Sequence, residues 1–208
     1  MGSNDARPQP SVRSAPGQRR REVVAGAAAL FDNAGYHSTT VEDIANAVGL
    51  AKPTLYHYFK SKDEILFWIH EEFIDLLIAR QEARLATEMP ARQRLLEIMA
   101  DMLDVIETHR GHVRVFFEHL RELPVEQQET ISRKRDIYEG YVEAEIQRGI
   151  DVGEIRAIDV RMATLALFGI CNWAYQWYRP DGRLRTRELA YAFWDMLMNG
   201  IAEKPAND

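Results

Sequence analysis

From Gln18 onward, apolar residues recur at three- and four-residue spacing, and no stretch alternates convincingly as a strand would. Val23, Val24, Ala27, Leu30 and Phe31 set the pattern and stop at Gly35, where a helix is expected to end. A short helix is expected over 41–48, with Thr40 placed to cap it and Asp43 three residues on as an approximate capping box. Gly49 breaks the chain, and a second short helix is expected over 52–59 with Pro53 in its first turn. Ser61 with Glu64 forms a cleaner capping-box pattern and opens a long amphipathic helix to about residue 86. Pro90, Gly111, Pro124, the Gly149/Gly153 pair and the turn at 179–182 bound further helices near 91–109, 112–122, 125–148, 159–178 and 186–202. The expected fold class is all-α, with a small amino-terminal helical domain over 18–62 and a larger helical domain over 63–208.

Residues 1–17 differ from this pattern. Pro8, Pro10 and Pro16 lie among Ser, Gln, Asn and Gly, and the segment reads as a disordered arm. The other 191 residues of the 208-residue chain have the apolar content of a globular protein, at 46% hydrophobic and 28% charged for the whole sequence. A single cysteine, Cys171, rules out an intramolecular disulfide framework and a Cys-rich zinc site. No apolar run approaches the ~18–20 residues of a spanning helix, and the amino end lacks a signal-like apolar core, so a cytoplasmic location is expected.

The net charge of −6 argues at first against a nucleic-acid partner. Its distribution says otherwise. Residues 1–62 carry eight basic and five acidic side chains, a balance of +3 that leaves −9 for the remainder. The basic segment contains the two short helices, which have the anatomy of a helix-turn-helix. Ile44, Ala45, Val48, Leu50, Leu55 and Phe59 are suited to pack them together. Lys52, Thr54, Tyr56, His57 and Tyr58 are then left around the outer face of the second helix. In a major groove, Lys52 would donate to guanine, and Pro53 and Thr54 would touch thymine methyls. Tyr56, His57 and Lys62 would reach phosphates, as would the backbone at Thr40.

The run Thr-Thr-Val-Glu-Asp-Ile-Ala-Asn-Ala-Val-Gly-Leu-Ala-Lys-Pro-Thr-Leu-Tyr-His-Tyr-Phe-Lys-Ser-Lys-Asp-Glu-Ile-Leu-Phe (39–67) resembles the amino-terminal domain of TetR-family transcriptional regulators. The resemblance begins at the preceding helix, which ends Ala-Leu-Phe-Asp-Asn-Ala-Gly-Tyr (29–36), and covers about residues 18–67. It implies a homodimer whose paired recognition helices read a palindromic operator, and a carboxyl-terminal ligand that alters their separation. It also implies DNA contacts at Thr40, Lys52, Pro53, Thr54, Tyr56, His57 and Lys62. Ala51 departs from the pattern, since many members carry a capping Ser there. Its absence should weaken the helix start by ~1 kcal/mol.

The larger domain is less specific. Residues 168–184 are rich in aromatics and resemble the end of TetR-family members that govern fatty-acid and steroid degradation and sense acyl-CoA thioesters. Trp173, Tyr175, Trp177 and Tyr178 suit either an apolar pocket or a dimer interface built as a four-helix bundle with the last helix. Arg179 suits either a CoA phosphate or the end of its own helix. Asn172 suits a ligand carbonyl or a bond across the dimer. Met102, Phe116 and Phe117 belong to a stripe that forms either core or pocket wall. The ligand-binding residues expected are therefore Met102, Phe116, Phe117, Asn172, Trp173, Trp177 and Arg179.

His109, His112, Glu118 and His119 raise a metal site as one reading and solvated or hydrogen-bonded histidines as the other; the second is the one expected. Arg133-Lys134-Arg135 reads as a solvated face. No catalytic arrangement is present, and neither an enzyme activity nor a cofactor is expected. The chain reads as a ligand-responsive DNA-binding repressor of a catabolic operon, released by a small apolar or acyl-CoA effector. The helix that starts at Ser61 joins both domains and is the expected transmission route.

Overall fold

The computed structural model describes residues 16–200, and every regular element among them is helical. The expected arm lies outside the described residues except for Pro16 and Gly17, which already begin the first helix. Residues 201 and 202, expected to end the last helix, are also outside them. The helices are α1 (Pro16–Ala34), α2 (Val41–Ala47), α3 (Lys52–Leu55), α4 (Lys62–Leu85) and α5 (Ala91–Thr108). They continue with α6 (Arg110–Glu118), α7 (Val125–Asp151), α8 (Val160–Trp177) and α9 (Thr186–Asn199), with a 3₁₀ turn at Leu120–Glu122 between α6 and α7.

α1 to α3 form a small head whose core is the apolar stripe read from the sequence. Val23, Val24, Ala27 and Phe31 of α1 meet Ile44 and Ala45 of α2, Leu55 of α3 and Phe59, all buried. Gly35 ends α1 and Gly49 turns α2 into α3, and both adopt the left-handed backbone that favours glycine. The two caps exchange their expected ranks. Thr40 and Asp43 make a complete reciprocal box. Ser61 accepts from the Glu64 N–H at 3.1 Å, whereas the Glu64 carboxylate takes the N–H of Lys60 rather than that of Ser61.

α3 is also shorter than expected. It stops at Leu55, and the chain tightens into bonds from the His57 N–H to the Thr54 carbonyl and from Tyr58 to Leu55. Ala51 supplies no side-chain cap, and the following Tyr-His-Tyr run has low helix propensity, so little holds a further turn. Tyr58, expected on the outer face, instead leans half-buried on the core.

In the body, α5 is central. Ile98, Met99 and Leu103 are fully buried on it. Arg94 of α5 and Glu145 of α7 form a buried ion pair at 3.2 Å, and Arg94 also donates to the Thr87 carbonyl at 2.8 Å. α6 lies between body and head. A Cβ on Gly111 would stand 2.8 Å from the Ala28 carbonyl oxygen, so only glycine lets α6 approach α1 this closely. Arg114 of α6 adds an ion pair to Asp32 of α1 at 3.0 Å.

Burial of histidines at this junction makes stability pH-dependent. His70 of α4 is fully buried, with Nδ1 bonded to the Leu66 carbonyl, its ring near Phe116, and His119 and Arg135 as neighbours. Burial drives its pKa down to about 4, and that of His112 likewise to about 4. Each group therefore binds its proton more readily when unfolded. Its stabilising contribution is complete above the unfolded value near 6.5 and is lost as pH falls towards 4.

Glu72, which faces His112 at 3.9 Å, works in the opposite sense, because burial raises its pKa to about 6. For His70 alone, the expected loss from pH 7 to pH 5 is about 2 kcal/mol. Urea unfolding at the two pH values should show a shallower pH dependence in His70→Leu than in the parent. An unchanged difference would rule out His70 as its source.

Candidate nucleic-acid interface and ligand cavity

The capped start of α2 and the short α3 place one set of expected residues on the outer end of the head. Lys52, Pro53, Tyr56 and His57 are exposed and Thr54 is half-exposed, on α3 or the turn just after it. The hydroxyl of Tyr56 is free to reach outward, as the residue is 47% exposed although aromatic. Lys52 has only a loose neighbour, Glu42 at 3.7 Å. Thr40 stands at the amino end of α2, exposed, and its hydroxyl both accepts from the Asp43 N–H and donates to the Asp43 carboxylate at 2.7 Å.

Lys62 is placed differently from the rest. Its ammonium donates to the carbonyls of Tyr36 (2.8 Å) and Thr39 (3.0 Å) and sits 4.1 Å over the Tyr36 ring. Two of its three donors thus tie α4 to the loop that precedes α2, and one remains for an outside anion. Asp63 accepts from the Tyr36 hydroxyl at the same loop. Lys62 therefore holds Thr40 in place besides lying near it.

The second set divides. A cavity of about 210 Å³ opens among α4, α5, α6, α7 and α8. Met102, Phe116, Phe117 and Asn172 line it. Trp173, Trp177 and Arg179 do not. Trp173 is 64% and Trp177 48% exposed, and Arg179 lies exposed beyond the end of α8. The reason is helical phase. Leu167, Cys171, Ala174 and Tyr178 form the inward stripe of this segment, and a residue two positions after Cys171 points away from it.

Exposed Met162 shares the outer side of α8 with Trp173, Leu165 turns to the cavity, and Tyr191 and Met196 are exposed on α9. Tyr175 and Tyr178 turn back towards the body. Tyr175 stacks on Phe117 with ring centroids 5.1 Å apart, and Tyr178 is buried with its hydroxyl donating to Glu107 at 2.9 Å.

Arg135, Tyr138 and Glu139 of α7 supply polar groups to the cavity that the sequence reading missed. The basic run expected to be a solvated face has Arg133 and Arg135 exposed, with Lys134 half-buried between them. Lys134 pairs with Glu71 (2.6 Å) and Asp75 (2.8 Å) of α4, and Arg135 lines the cavity. The available signal was position: Ile131, Arg135, Tyr138 and Val142 follow one another at four, three and four residues. Among the described residues no group of three metal-ligating side chains is gathered, and the rings of His109 and His112 lie 5.8 Å apart against a cleft between head and body. Cys171 is buried, and burial pushes its thiol up to about 12, which leaves it unreactive. No described helix is long and apolar enough to cross a membrane.

α6 carries both functions of this geometry. Val113, Phe116 and Phe117 face the cavity, and Gly111 and Arg114 of the same nine-residue helix touch α1. The cavity wall and the contact with α1 therefore share one helix, beside α4, which also lines the cavity and packs on α1.

Comparison with known proteins agrees with both halves. The family profile "Bacterial regulatory proteins, tetR family" matches residues 23–68, and "Tetracyclin repressor-like, C-terminal domain" matches residues 88–201. The transcriptional repressor KstR2 of Rhodococcus jostii is 28% identical over 190 residues, 88% of this chain and 91% of its own. The crystal structure of the TetR-family regulator PfmR from Thermus thermophilus is 32% identical, covers 87% of this chain and 99% of that one, and superposes with a TM-score of 0.81. A structure of AibR in complex with isovaleryl coenzyme A and operator DNA is 26% identical over 86% of this chain and 98% of that one, with a TM-score of 0.78.

Proposed function

Because this chain belongs to the TetR family of bacterial regulatory proteins, we propose that it is a homodimeric, ligand-responsive repressor of a catabolic operon, working in the cytoplasm without catalytic activity. The observation that carries the reading is α6, which is at once a wall of the cavity and a contact of the head. The effector class is a small apolar molecule or an acyl-CoA. AibR, similar over most of both chains, is seen with isovaleryl coenzyme A and operator DNA, and the cavity here has room on the order of seven waters, enough for a short acyl group.

Two heads held by one dimer read two half-sites of a palindromic operator. Lys52 and Thr54 read bases, Pro53 touches a thymine methyl, and Tyr56, His57, Lys62 and Thr40 hold phosphates. To change operator occupancy about a hundredfold, the effector must favour the released spacing of the heads by ~2.7 kcal/mol.

The test is fluorescence anisotropy on duplexes from the intergenic region beside the gene, with and without isovaleryl-CoA and longer or steroid-derived acyl-CoAs. Salt-dependent binding that an acyl-CoA reverses is the expected result. Absence of duplex binding would overturn the regulator reading, and binding that no acyl-CoA or apolar ligand reverses would overturn the effector class. Within the head, Tyr56→Ala should weaken all duplexes alike, whereas Lys52→Ala should relax preference at one or two base pairs, worth about 1–3 kcal/mol of discrimination. Unchanged sequence preference in Lys52→Ala would refute base reading at that position.

A further inference from the structure

The stripe Ile131, Arg135, Tyr138, Val142 on α7 has one anomalous member. Ile131, Tyr138 and Val142 are buried, as a core-facing stripe requires, and the fourth position is an exposed arginine that lines the cavity. Cations packed against this body are commonly held by carboxylates. Those around it are: Lys134 by Glu71 and Asp75, Arg94 by Glu145, Arg161 by Glu139. Arg135 has no carboxylate at ion-pair distance among the described residues. Its guanidinium lies 5.5 Å from the Phe116 ring, and the opposite charge acting on it is Asp136, its neighbour in sequence. Glu139 shares the cavity wall but is taken up by Arg161 of α8.

We propose that Arg135 is the group with which the cavity reads an anion, a carboxylate or a phosphate, on the effector. The inference rests on the effector reading above and adds the chemistry of the ligand's polar end. A guanidinium fork matches the two oxygens of either anion. Asn172 and Tyr138 line the same cavity and offer a neutral amide and a hydroxyl beside it. The apolar remainder of the lining, including Met102, Ile106 and Phe116, takes a short acyl body.

Calorimetry on the full-length dimer tests this with three probes that share one acyl group: isovaleryl-CoA, which carries phosphates; S-isovaleryl-pantetheine, its neutral truncation; and isovalerate, a carboxylate. The parent should bind at least one anionic probe about tenfold more tightly than the neutral thioester. Arg135→Gln should remove that margin and leave the neutral thioester within about twofold of the parent, and Arg135→Lys should retain part of the margin. Which anionic probe loses affinity tells phosphate from carboxylate.

A margin that survives in Arg135→Gln overturns the proposal, as does a parent that binds the neutral thioester equally well. Equal binding of all three probes by parent and variant leaves the acyl effector standing and removes only Arg135. Binding of none overturns both. The variants should melt with the parent, since Arg135 is exposed over part of its surface and makes no internal ion pair among the described residues.

Discussion

Trp173→Glu is expected to convert the protein to a monomer at micromolar concentration and to cost at least about a hundredfold in operator affinity. A tryptophan 64% open to solvent, with Met162 on the same side of α8 and Tyr191 and Met196 on α9, is an apolar surface that a solitary subunit leaves wet. Gly169 lies one helical turn before Trp173, and a Cβ there would meet nothing within 4 Å, so a second helix has room to approach. In a two-fold interface each residue acts twice. If one buried tryptophan contributes about 2–4 kcal/mol, the symmetric pair contributes about twice that, more than a micromolar dimer can lose.

Light scattering should report the change of mass, and circular dichroism should be unaltered, because Trp173 makes no contribution to the subunit core. Trp173→Phe should remain dimeric. A Trp173→Glu protein that stays dimeric and binds its operator normally would exclude this face as the interface.

The same residue shows what the sequence made legible. Helix boundaries came from punctuation by proline, glycine and capping hydroxyls, which are local features, and they fall within a few residues of α4, α5, α8 and α9. The head was legible because its apolar positions and its outer polar positions alternate within one short, patterned segment. α3 was overextended because periodicity continues through Phe59, although the backbone there turns under i to i+3 bonds.

The cavity was read by composition, which gathers Trp173, Trp177 and Arg179 because they are aromatic or cationic neighbours in the chain. Helical phase separates them. Phase also finds Arg135, which composition had merged with Arg133 and Lys134 into one basic run. The dependence of α6 on Gly111 was invisible in sequence, since the glycine looks like a simple break, yet the nearby backbone of Ala28 is what demands it.

Glu145→Ala is expected to destabilise the body by about 3–5 kcal/mol, a third or more of the whole stability of many domains. Glu145 accepts from Arg94 at 3.2 Å and also from Arg148, and its side chain is only 4% exposed. Removing the carboxylate leaves the Arg94 guanidinium, itself 8% exposed, without its counter-charge in a place that water does not reach. Replacing both partners, Arg94→Met with Glu145→Leu, should cost distinctly less than the single change, because no buried charge is then stranded. Urea unfolding at fixed subunit concentration makes the comparison, as dimerisation shifts apparent stability.

The consequence for the site follows from position. Arg94 and Glu145 join α5 to α7 about two turns from Met102 and Tyr138, which both line the cavity. Loosening that joint lets Arg135 and Tyr138 shift relative to the α5 wall, so effector affinity should fall in Glu145→Ala even below its unfolding transition, and recover in the double variant. A single variant as stable as the parent, or a double variant less stable than the single, would show that the pair does not clamp the two helices.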